Sequence, residues 1–364
     1  MRERQTRRGF CLSGAGILGA SAVAGCSEGD TSAAEAAAAL RRPLDLAATD
    51  PLPELVRFAT LAANSHNTQP WLFERAGAGL RIRPDLSRRT AAVDPDDHHL
   101  FASLGCAAEN LMLGASAYGK GAAYLFDAQT IEIAVDLSTA GALPSPLLYA
   151  IPKRQCTRSV YDGKSVSTAE LQLLRAAAAL DGVDVVLIVE RPAIDQVRVA
   201  VIEGNRLQMQ DEAFVRELRS WIRFSAGSAV RSGDGLFAAA SGNPVVPDWL
   251  GRVMFPTVFT IDGETKKYQQ QIDSSAGVAV FVGAREDPEH WAMAGRAYQR
   301  FALQAATLGI KHAFINQPVE VPTVRSDFAD AVGFTGRRVD LVVRFGYAAD
   351  LPFSMRRPVN SVLR

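Results

Sequence analysis

The sequence is poor in cysteine and has no excess of charge of either sign. Only four of its 364 residues are cysteines, and they form no CxxC pair or cluster of the kind that binds a metal. The Lys and Arg residues number 39 and exactly as many residues are Asp or Glu, so nothing resembles the basic stripe of a nucleic-acid-binding protein. These features argue against a zinc module and against a nucleic-acid partner.

The chain begins with an apolar run that is too short to be a convincing membrane span. Phe10–Ala24 is rich in Gly and Ser, which is typical of a sorting signal. The preceding Thr6–Leu12 contains paired arginines and resembles the twin-arginine export motif. Val23–Cys26 resembles a lipobox, in which Cys26 would carry the lipid; a cleaved signal without lipid is the alternative. We therefore expect an exported protein, either periplasmic or anchored in the membrane as a lipoprotein.

The remaining chain is expected to form two related halves behind a tether. The predicted boundaries are 1–26 for the signal, 27–45 for the tether, 46–150 for the first half and 151–364 for the second. The apolar helix that begins near Gly105 and stops at Gly119 aligns with one that begins near Gly295 and stops at Gly309. The offset is 190 residues for both glycine pairs, which favours a degenerate internal repeat over chance similarity of Ala-rich helices.

Strand-like runs complete each half. They are rich in β-branched residues, which favour extended structure, and they cover Ile131–Val135, Val183–Val189, Val278–Val282 and Val339–Phe345. Two cysteines, Cys106 and Cys156, lie in the mature chain, and the sequence leaves a disulfide between them open. The alternation of helices and strands predicts an α+β fold.

Residues 62–73, AANSHNTQPWLF, form the most informative stretch of the chain. Six polar side chains precede Pro70–Trp71, and such a loop is costly to bury unless it hydrogen-bonds to something. Its amide and hydroxyl groups suit a large polar heteroaromatic ligand better than a metal. The stretch resembles the N-x-Q-P-W loop of the flavin-binding nitroreductase family, with Asn64, Ser65 and Asn67 in the matching positions. His66 departs from the family, which has a small polar residue there.

A basic stretch in the second half, Lys153–Asp162, resembles the family's R-x-S-x-R/K motif. Two arginines four residues apart, Arg154 and Arg158, can grip a phosphate. Cys156 stands where the family commonly has Ser. The helix that follows begins with Ser167 and Glu170, which predict a capping box.

The C-terminal region adds two further segments of the family pattern. Asn316-Gln317-Pro318 follows the Gly309 stop, where the family places a loop against the flavin ring. Met355-Arg356-Arg357-Pro358 resembles the terminal basic segment that approaches the flavin phosphate. The residues that the resemblance assigns to the cofactor are Asn64, Ser65, Asn67, Arg154, Gln155, Cys156, Arg158, Asn316, Gln317, Arg356 and Arg357.

The resemblance also implies the assembly. Nitroreductases are homodimers in which one subunit supplies the phosphate motif and the other supplies the N-x-Q-P-W loop. Each motif occurs once in this chain, in different halves, as in the tandem Acg-like branch of the family. We therefore expect a monomer that is an intramolecular mock dimer with one FMN between its halves. Trp71 is expected to anchor this interface by packing.

Two other features leave alternatives open. Asp94–His99 contains acids and two neighbouring histidines and could suggest a metal site, but the pattern also suits a helix N-terminus, and we expect no metal. The stretch 231–259 contains Phe237, Trp249 and Phe255, which could form a lid over the flavin. An ordinary surface insertion is equally compatible with that sequence.

The resemblance implies an exported FMN-dependent oxidoreductase that passes a hydride through flavin N5 to a nitroaromatic- or quinone-like acceptor. In such enzymes the cofactor carries the chemistry, and we expect no obligatory acid–base side chain. The partners are then a small-molecule electron donor and acceptor. A protein that stores or sequesters FMN without turnover is the second hypothesis, because NAD(P)H is scarce outside the cytoplasm. A scaffold that has lost its flavin is the third.

Overall fold

The computed structural model describes residues 28–139, 141 and 143–364, so the predicted export signal lies outside the described residues. The helices are α1 (Glu28–Leu40), α2 (Leu52–Thr60), α3 (His98–Ala117), α4 (Thr168–Ala178), α5 (Arg191–Gln210), α6 (Glu212–Trp221), α7 (Ala226–Ser232), α8 (Asp248–Val258), α9 (Ile261–Asp273), α10 (Pro288–Thr307), α11 (Gln317–Glu320), α12 (Pro322–Ala331) and α13 (Val359–Val362). Short 3-10 helices cover Ser65–Asn67, Leu86–Arg88, Pro146–Ala150 and Ala239–Ser241.

The strands form one antiparallel sheet in each half of the chain. They are β1 (Trp71–Ala76), β2 (Gly79–Pro84), β3 (Gly121–Asp127), β4 (Glu132–Ser138), β5 (Val183–Ile188), β6 (Ile222–Arg223), β7 (Leu236–Phe237), β8 (Gly277–Gly283), β9 (Lys311–Phe314) and β10 (Leu341–Gly346). The first sheet has the order β1-β2-β4-β3 and the second has the order β5-β8-β10-β9. Strands β6 and β7 form a small parallel pair. The predicted α+β class is confirmed, and the four predicted strands correspond to β4, β5, β8 and β10.

Two long helices, α3 and α10, pack against each other in the middle of the molecule. Their close approach depends on small residues: a Cβ added to Gly105 would lie 1.8 Å from the carbonyl oxygen of Ala292, and one added to Gly295 would lie 1.9 Å from that of Ala102. The two contacts are reciprocal, because each residue of one pair lies 190 positions from its counterpart in the other. The backbones of α3 and α10 therefore touch where only glycine fits.

The main hydrophobic core surrounds this helix pair and joins both sheets. Trp71 and Phe73 of β1, Phe281 of β8 and Phe301 of α10 are fully buried within it, as expected for Trp71. Helix α3 is long and apolar enough to cross a membrane by length and composition, but it is buried in this core. The two mature-chain cysteines are both free thiols, so they do not form the disulfide that the sequence left open.

The helix boundaries follow local sequence signals. Helix α4 begins with the predicted capping box, in which Glu170 N–H donates to Ser167 Oγ at 3.3 Å and Ser167 N–H donates to Glu170 Oε2 at 2.9 Å. Gly119 and Gly309 have φ of 66° and 71°, the left-handed conformation expected just beyond the ends of α3 and α10.

The segment 27–45, which the sequence predicts to be a tether, contains regular structure. It contains α1, which packs through Ala33 and Ala37 against Ala226 and Ala229 of α7. Small side chains that recur every four residues form a smooth helix face, so α1 packs on the second half. Leu40 and Leu44, at the end of the segment, pack with Phe58 and Leu61 of the first half.

Candidate functional site

The polar loop between α2 and β1 is held in a strained conformation. His66, Asn67 and Gln69 have φ of 45°, 53° and 55°, a left-handed region that is uncommon for residues other than glycine. Within the loop, the Gln69 N–H donates to Asn64 Oδ1 at 2.8 Å. Strain of this kind persists only where the surroundings enforce it, and it is concentrated at functional sites.

The second half enforces this loop conformation through hydrogen bonds. Asn67 Nδ2 donates to the carbonyl oxygens of Gly235 at 2.9 Å and Met355 at 3.1 Å. Gln69 Nε2 donates to the carbonyl oxygen of Gly233 at 2.8 Å. The loop of the first half is therefore fixed by two segments that are remote in sequence, and it lies at the boundary between the halves.

Four arginines meet beside this loop. Arg41, Arg154, Arg158 and Arg356 line a cavity of about 60 Å³ together with Asn64 and other polar groups. Arg154 and Arg356 are 3% and 6% exposed. Arg154 comes from the basic motif, Arg356 from the C-terminal segment and Arg41 from the end of α1, so three separate parts of the chain bring charge to one place.

The hydrogen bonds of these arginines go mainly to neutral groups. Arg154 Nη2 donates to the Leu61 carbonyl oxygen at 3.0 Å, and Arg356 Nε donates to that of Thr60 at 2.6 Å. Among the described residues, no Asp or Glu carboxylate oxygen lies within 4.0 Å of a nitrogen of any of these four guanidiniums. Buried cations without a carboxylate are costly, and guanidiniums arranged around one cavity are suited to a phosphate or another oxyanion.

The electrostatics of the cluster agree with this geometry. Burial lowers the pKa of Arg41 to about 9, and the charge of Arg154 contributes in the same direction. Burial also lowers the pKa of Arg356, and Arg41 and Arg154 add to the shift. The arginines therefore destabilise one another's charged forms, and an anion in the cavity would relieve that repulsion.

Cys156 lies in the same cavity. Burial by itself would raise the pKa of its thiol, but His312 and the nearby Arg154 and Arg158 outweigh burial and lower the pKa to about 6. Its Sγ lies 3.8 Å from the hydroxyl oxygen of Tyr298. The family's Ser hydroxyl is thus replaced by a thiol that ionises readily beside two arginines.

A second cavity of about 90 Å³ adjoins the first, because Asn64 and Arg158 line both. Its other polar groups include Ser65, His66 and Asn316. Burial lowers the pKa of His66 to about 4, with Arg158 and His99 contributing, so this imidazole is neutral at pH 7. This second cavity therefore offers neutral donors and acceptors next to the cationic one.

Asn316 connects the second cavity to the start of α3. Its Oδ1 accepts the Val342 N–H at 2.8 Å, which fixes the amide orientation, and its Nδ2 donates to His99 Nε2 at 3.1 Å. Burial would lower the pKa of His99, but the carboxylate of Asp94, whose Oδ1 lies 3.5 Å from His99 Nδ1, raises it overall.

The stretch that could suggest a metal site is organised around the start of α3. Donor atoms of Asp94, His98 and His99 lie within 4.8 Å of one another. Asp94 accepts the N–H groups of His99 at 3.0 Å and Leu100 at 2.9 Å, and His98 Nε2 lies 2.7 Å from Asp340 Oδ1. Asp94 therefore acts as the carboxylate at a helix N-terminus that the sequence suggested as the alternative.

A third, larger cavity, of about 820 Å³, lies beside α1. The apolar side of its lining includes the alanines of α1, Phe237 and Phe353, and the polar side includes Lys153 and His312. Arg41 and Gln155 line both this cavity and the arginine cavity. The large cavity therefore adjoins the arginine cavity, which in turn adjoins the second cavity. Apart from α1 and Arg41, the residues that line the large cavity belong to the second half.

The structure brings together most of the residues that the sequence assigned to a cofactor. The residues that line these cavities are Asn64, Ser65, Asn67, Arg154, Gln155, Cys156, Arg158, Asn316 and Arg356. Gln317 lies behind the site, packed against Gly204 of α5. Arg357 also points elsewhere: its N–H donates to Gln69 Oε1 at 2.8 Å and its Nη1 to Asp85 Oδ2 at 3.4 Å.

Sequence reasoning missed Arg41, His99 and Glu320, which also line the cavities. A signal for Arg41 was present: Ala33, Ala37 and Arg41 are four residues apart, which places them on one face of a helix. The side chains of His99 and Glu320 reach the site only through the tertiary packing of α3 and α11.

The three aromatic residues suggested as a lid have different environments. Phe237 is buried and lines the large cavity. Phe255 is buried and stacks on Phe259, with ring centroids 4.7 Å apart. Trp249 is mostly exposed. Only Phe237 of this group therefore lies at the site.

The chain is similar in sequence to a mycobacterial protein that is recorded in two strains. No protein-family model matches the chain. The chain is 25% identical over 326 residues to the Mycobacterium tuberculosis protein named "Putative NAD(P)H nitroreductase Rv3131" in strain H37Rv, and equally to its counterpart MT3217 in strain CDC 1551. The match covers 85% of this chain and 90% of each relative.

Solved structures give more distant similarities. A nitroreductase with bound FMN from Bacteroides fragilis is 15% identical, with a TM-score of 0.35, over 57% of this chain and 90% of its own. The FMN-dependent nitroreductase NfnB from Mycobacterium smegmatis, in complex with NADPH, is 13% identical, with a TM-score of 0.36, over 58% of this chain and 90% of its own.

Proposed function

Because this chain is a homologue of the nitroreductase family, we propose that it is an FMN-dependent oxidoreductase with one flavin site between its two halves. The arginine cluster is the observation that carries the proposal. Arg41, Arg154, Arg158 and Arg356 line one cavity and lack carboxylate partners among the described residues. The Cys156 thiol, whose pKa is lowered to about 6, can balance part of this charge, and the FMN phosphate would balance the rest. In a scaffold that binds no flavin, nothing would offset the free-energy cost of burying these charges together.

The residues around the cluster fit the rest of FMN. Arg154, Arg158, Arg356 and Arg41 would hold the phosphate. The neighbouring cavity offers Asn64 and Asn316 as donors and acceptors for a polar ring system. When bound, FMN supplies hydride transfer through its N5 atom. The chain's own residues hold the cofactor, orient it and exclude water.

The small volumes of the two cavities indicate what binding requires. Neither 60 Å³ nor 90 Å³ is enough for a flavin, and ligand cavities are usually about 300–1,000 Å³. Asn64 and Arg158 line both cavities, so their side chains must move apart to join them. This closed geometry favours a second candidate function, the storage or sequestration of FMN without turnover.

The mock-dimer arrangement follows from where the two motifs lie. The strained loop comes from the first half, the arginine motif comes from the second, and the reciprocal glycine contacts of α3 and α10 lie between them. One complete set of motifs can build one site. We therefore propose a monomer that binds one FMN, as in the tandem Acg-like branch.

We further propose that the protein is exported with its flavin already bound. The paired arginines Arg7 and Arg8 match the twin-arginine motif, whose pathway carries folded proteins. Cys26 is the proposed attachment point for lipid. In that compartment the electron donor and the nitroaromatic- or quinone-like acceptor would be small molecules that reach the site from outside the cytoplasm.

Flavin stoichiometry and ligand preference test the proposal. Flavin released by heat should equal one FMN per chain. Arg154→Ala and Arg158→Ala should each weaken FMN binding by about 1.5–3 kcal/mol, roughly ten- to a hundredfold in Kd, and should change riboflavin binding much less. Arg216→Ala is the matched control, because Arg216 is exposed and pairs with Glu212 on the surface of α6.

The outcomes separate the candidate functions. Two flavins per chain, or none when FMN is supplied, would contradict the mock-dimer site. Equal losses for FMN and riboflavin would mean that the arginines act through folding. If the bound flavin is reduced by dithionite and reoxidised by a nitroaromatic or a quinone, the protein turns over. Bound flavin that stays inert toward both would favour storage.

A further inference from the structure

Helix α8 has apolar residues on two opposite faces, and only one face is covered by the protein. On the covered face, Phe255 stacks on Phe259, and Gly251 lies so close to Phe224 that an added Cβ would be 2.3 Å from its ring. These residues are one helical turn apart, so they form the narrow stripe that attaches α8 to the rest of the second half.

The opposite face carries large apolar side chains in solvent. Trp249 and Val253 are 68% and 69% exposed, and Pro256 continues the same stripe at the next turn. At 100° per residue, this stripe is centred directly across the helix from Gly251 and Phe255. Met254 and Val258 are also exposed, but at 100° per residue they lie nearer the Gly251 side of the helix and are not part of this stripe.

This arrangement is not ordinary surface scatter. Isolated exposed apolar residues are common in soluble proteins, whereas several on one helix face mark an interaction surface. A helix that is apolar on both faces is normally buried. A tryptophan on such a face is typical of the boundary between water and lipid, where its amphipathic ring is favoured.

The position of α8 relative to the proposed start of the mature chain points to a membrane as the surface that covers its exposed face. Cys26, the proposed lipid attachment point, precedes the first residue of α1 by two positions. Helix α1 packs on α7, and Ser228 of α7 donates through Oγ to Asp248 Oδ1 at the first residue of α8, at 2.9 Å. A lipid attached to Cys26 would therefore be tethered to the part of the molecule that α1, α7 and α8 form.

The charges next to the exposed stripe agree with a lipid surface. Arg252 is exposed and adjoins Trp249 and Val253 on the helix surface. Arg231 of α7 is also exposed and reaches Asp248 only at 3.9 Å. Long arginine side chains at the edge of an apolar stripe can reach lipid phosphates while their stems cover apolar surface.

We infer that α8 lies flat on a phospholipid bilayer, with Trp249 and Val253 at the boundary between headgroups and acyl chains and Arg252 at the phosphates. This contact is additional to a lipid on Cys26 and does not depend on flavin. It gives the protein a defined orientation on the membrane, with the second half facing the lipid.

Vesicle binding tests this inference directly. The full chain with Cys26→Ser, which removes the anchor, should float with vesicles of phosphatidylethanolamine and phosphatidylglycerol. Trp249→Ser and Val253→Ser in that background should each lower the partition coefficient by about tenfold. Val199→Ser is the matched control, because Val199 of α5 is 65% exposed and lies on another helix; it should bind unchanged.

A fluorescence-quenching experiment distinguishes vesicle binding through α8 from binding through any other segment, including the apolar run near the N-terminus. Vesicles with brominated acyl chains should quench tryptophan emission of the Cys26→Ser chain. Trp249→Phe should keep vesicle binding within a fewfold and lose that quenching. Binding unaffected by both serine variants, quenching that survives Trp249→Phe, or no vesicle binding would each overturn the inference. A dimer that Val253→Ser dissociates, without vesicle binding, would mean that a second copy covers this face and would also overturn it.

Discussion

Replacing Arg154 with methionine is expected to raise the stability of the flavin-free protein and to weaken FMN binding. Methionine keeps most of the side-chain volume and removes the charge. Arg154 is 3% exposed, its Nε has no hydrogen-bond partner among the described residues, and no carboxylate there pairs with it. The native side chain therefore contributes a desolvated charge, a hydrogen bond to the Leu61 carbonyl oxygen at 3.0 Å and a 4.0 Å contact of its Nη1 with Cys156 Sγ.

The magnitude follows from these contacts. Replacing buried charges with apolar groups of similar volume often stabilises a protein by about 1–4 kcal/mol. The lost hydrogen bond to Leu61 offsets about 1 kcal/mol of that. We expect the free energy of unfolding of the apoprotein to rise by up to about 3 kcal/mol and the Kd for FMN to rise roughly a hundredfold.

These two effects should oppose each other when FMN is added. At a concentration of 100 times its Kd, FMN stabilises the wild-type protein by about 2.7 kcal/mol. The same concentration equals the Kd of an Arg154→Met variant with hundredfold weaker binding and stabilises it by only about 0.4 kcal/mol. Urea unfolding of each protein with and without FMN measures both numbers.

A buried arginine with a carboxylate partner provides the control. Arg296 of α10 pairs with Glu109 of α3 at 3.0 Å, and Arg300 reaches the same carboxylate at 2.8 Å. Arg296→Met should lower the free energy of unfolding by about 3 kcal/mol without a specific effect on FMN. If Arg154→Met destabilises the apoprotein as much as Arg296→Met does, the cluster is not an unpaired cation site and the reasoning is wrong.

Two further predictions concern acid stability and export. Burial would raise the pKa of Glu54, but hydrogen bonds from Arg57 and Arg42 lower it to about 2, so this carboxylate stabilises the fold above its ordinary pKa and loses that contribution as the pH falls from about 4.5 toward 2. At pH 7 the Glu54→Gln variant should therefore have a lower free energy of unfolding in urea than wild type. The difference between the two proteins should narrow as the pH falls from about 4.5 toward 2, and a difference that stays constant would contradict the assignment. Replacing Arg7 and Arg8 with lysine should leave the flavoprotein in the cytoplasm by cell fractionation, whereas normal processing would indicate another export route.

The local parts of the site could be predicted from the sequence. The N-x-Q-P-W loop and the basic motif are short and contiguous, so their chemistry is visible without a structure. The structure places Asn64 and Asn67 of the loop in the same cavity as Arg154 and Arg158 of the motif. The capping box of α4 and the glycine stops beyond α3 and α10 were also predictable, because each depends on a few neighbouring residues.

The tertiary parts could not be predicted in the same way. The lack of carboxylates around the arginine cluster depends on every element that packs there. The role of His99 depends on Asn316, more than 200 residues away along the chain. Arg357 resembled its neighbour Arg356 in sequence, but adjacent residues point in different directions, and it binds Gln69 and Asp85 instead of the cavity. A composition rich in Ala and Ser suggested a tether where α1 packs.

The glycine crossing of α3 and α10 has a consequence for how such a chain can evolve. In a homodimer, one mutation changes both sides of the interface at once, and symmetry limits which changes survive. Here Gly105 and Gly295 are encoded separately, and each must remain glycine because an added Cβ does not fit. The residues around them can change independently of each other. The backbone contact fixes how α3 and α10 pack, while the arginine motif of one half and the polar loop of the other can change independently of each other.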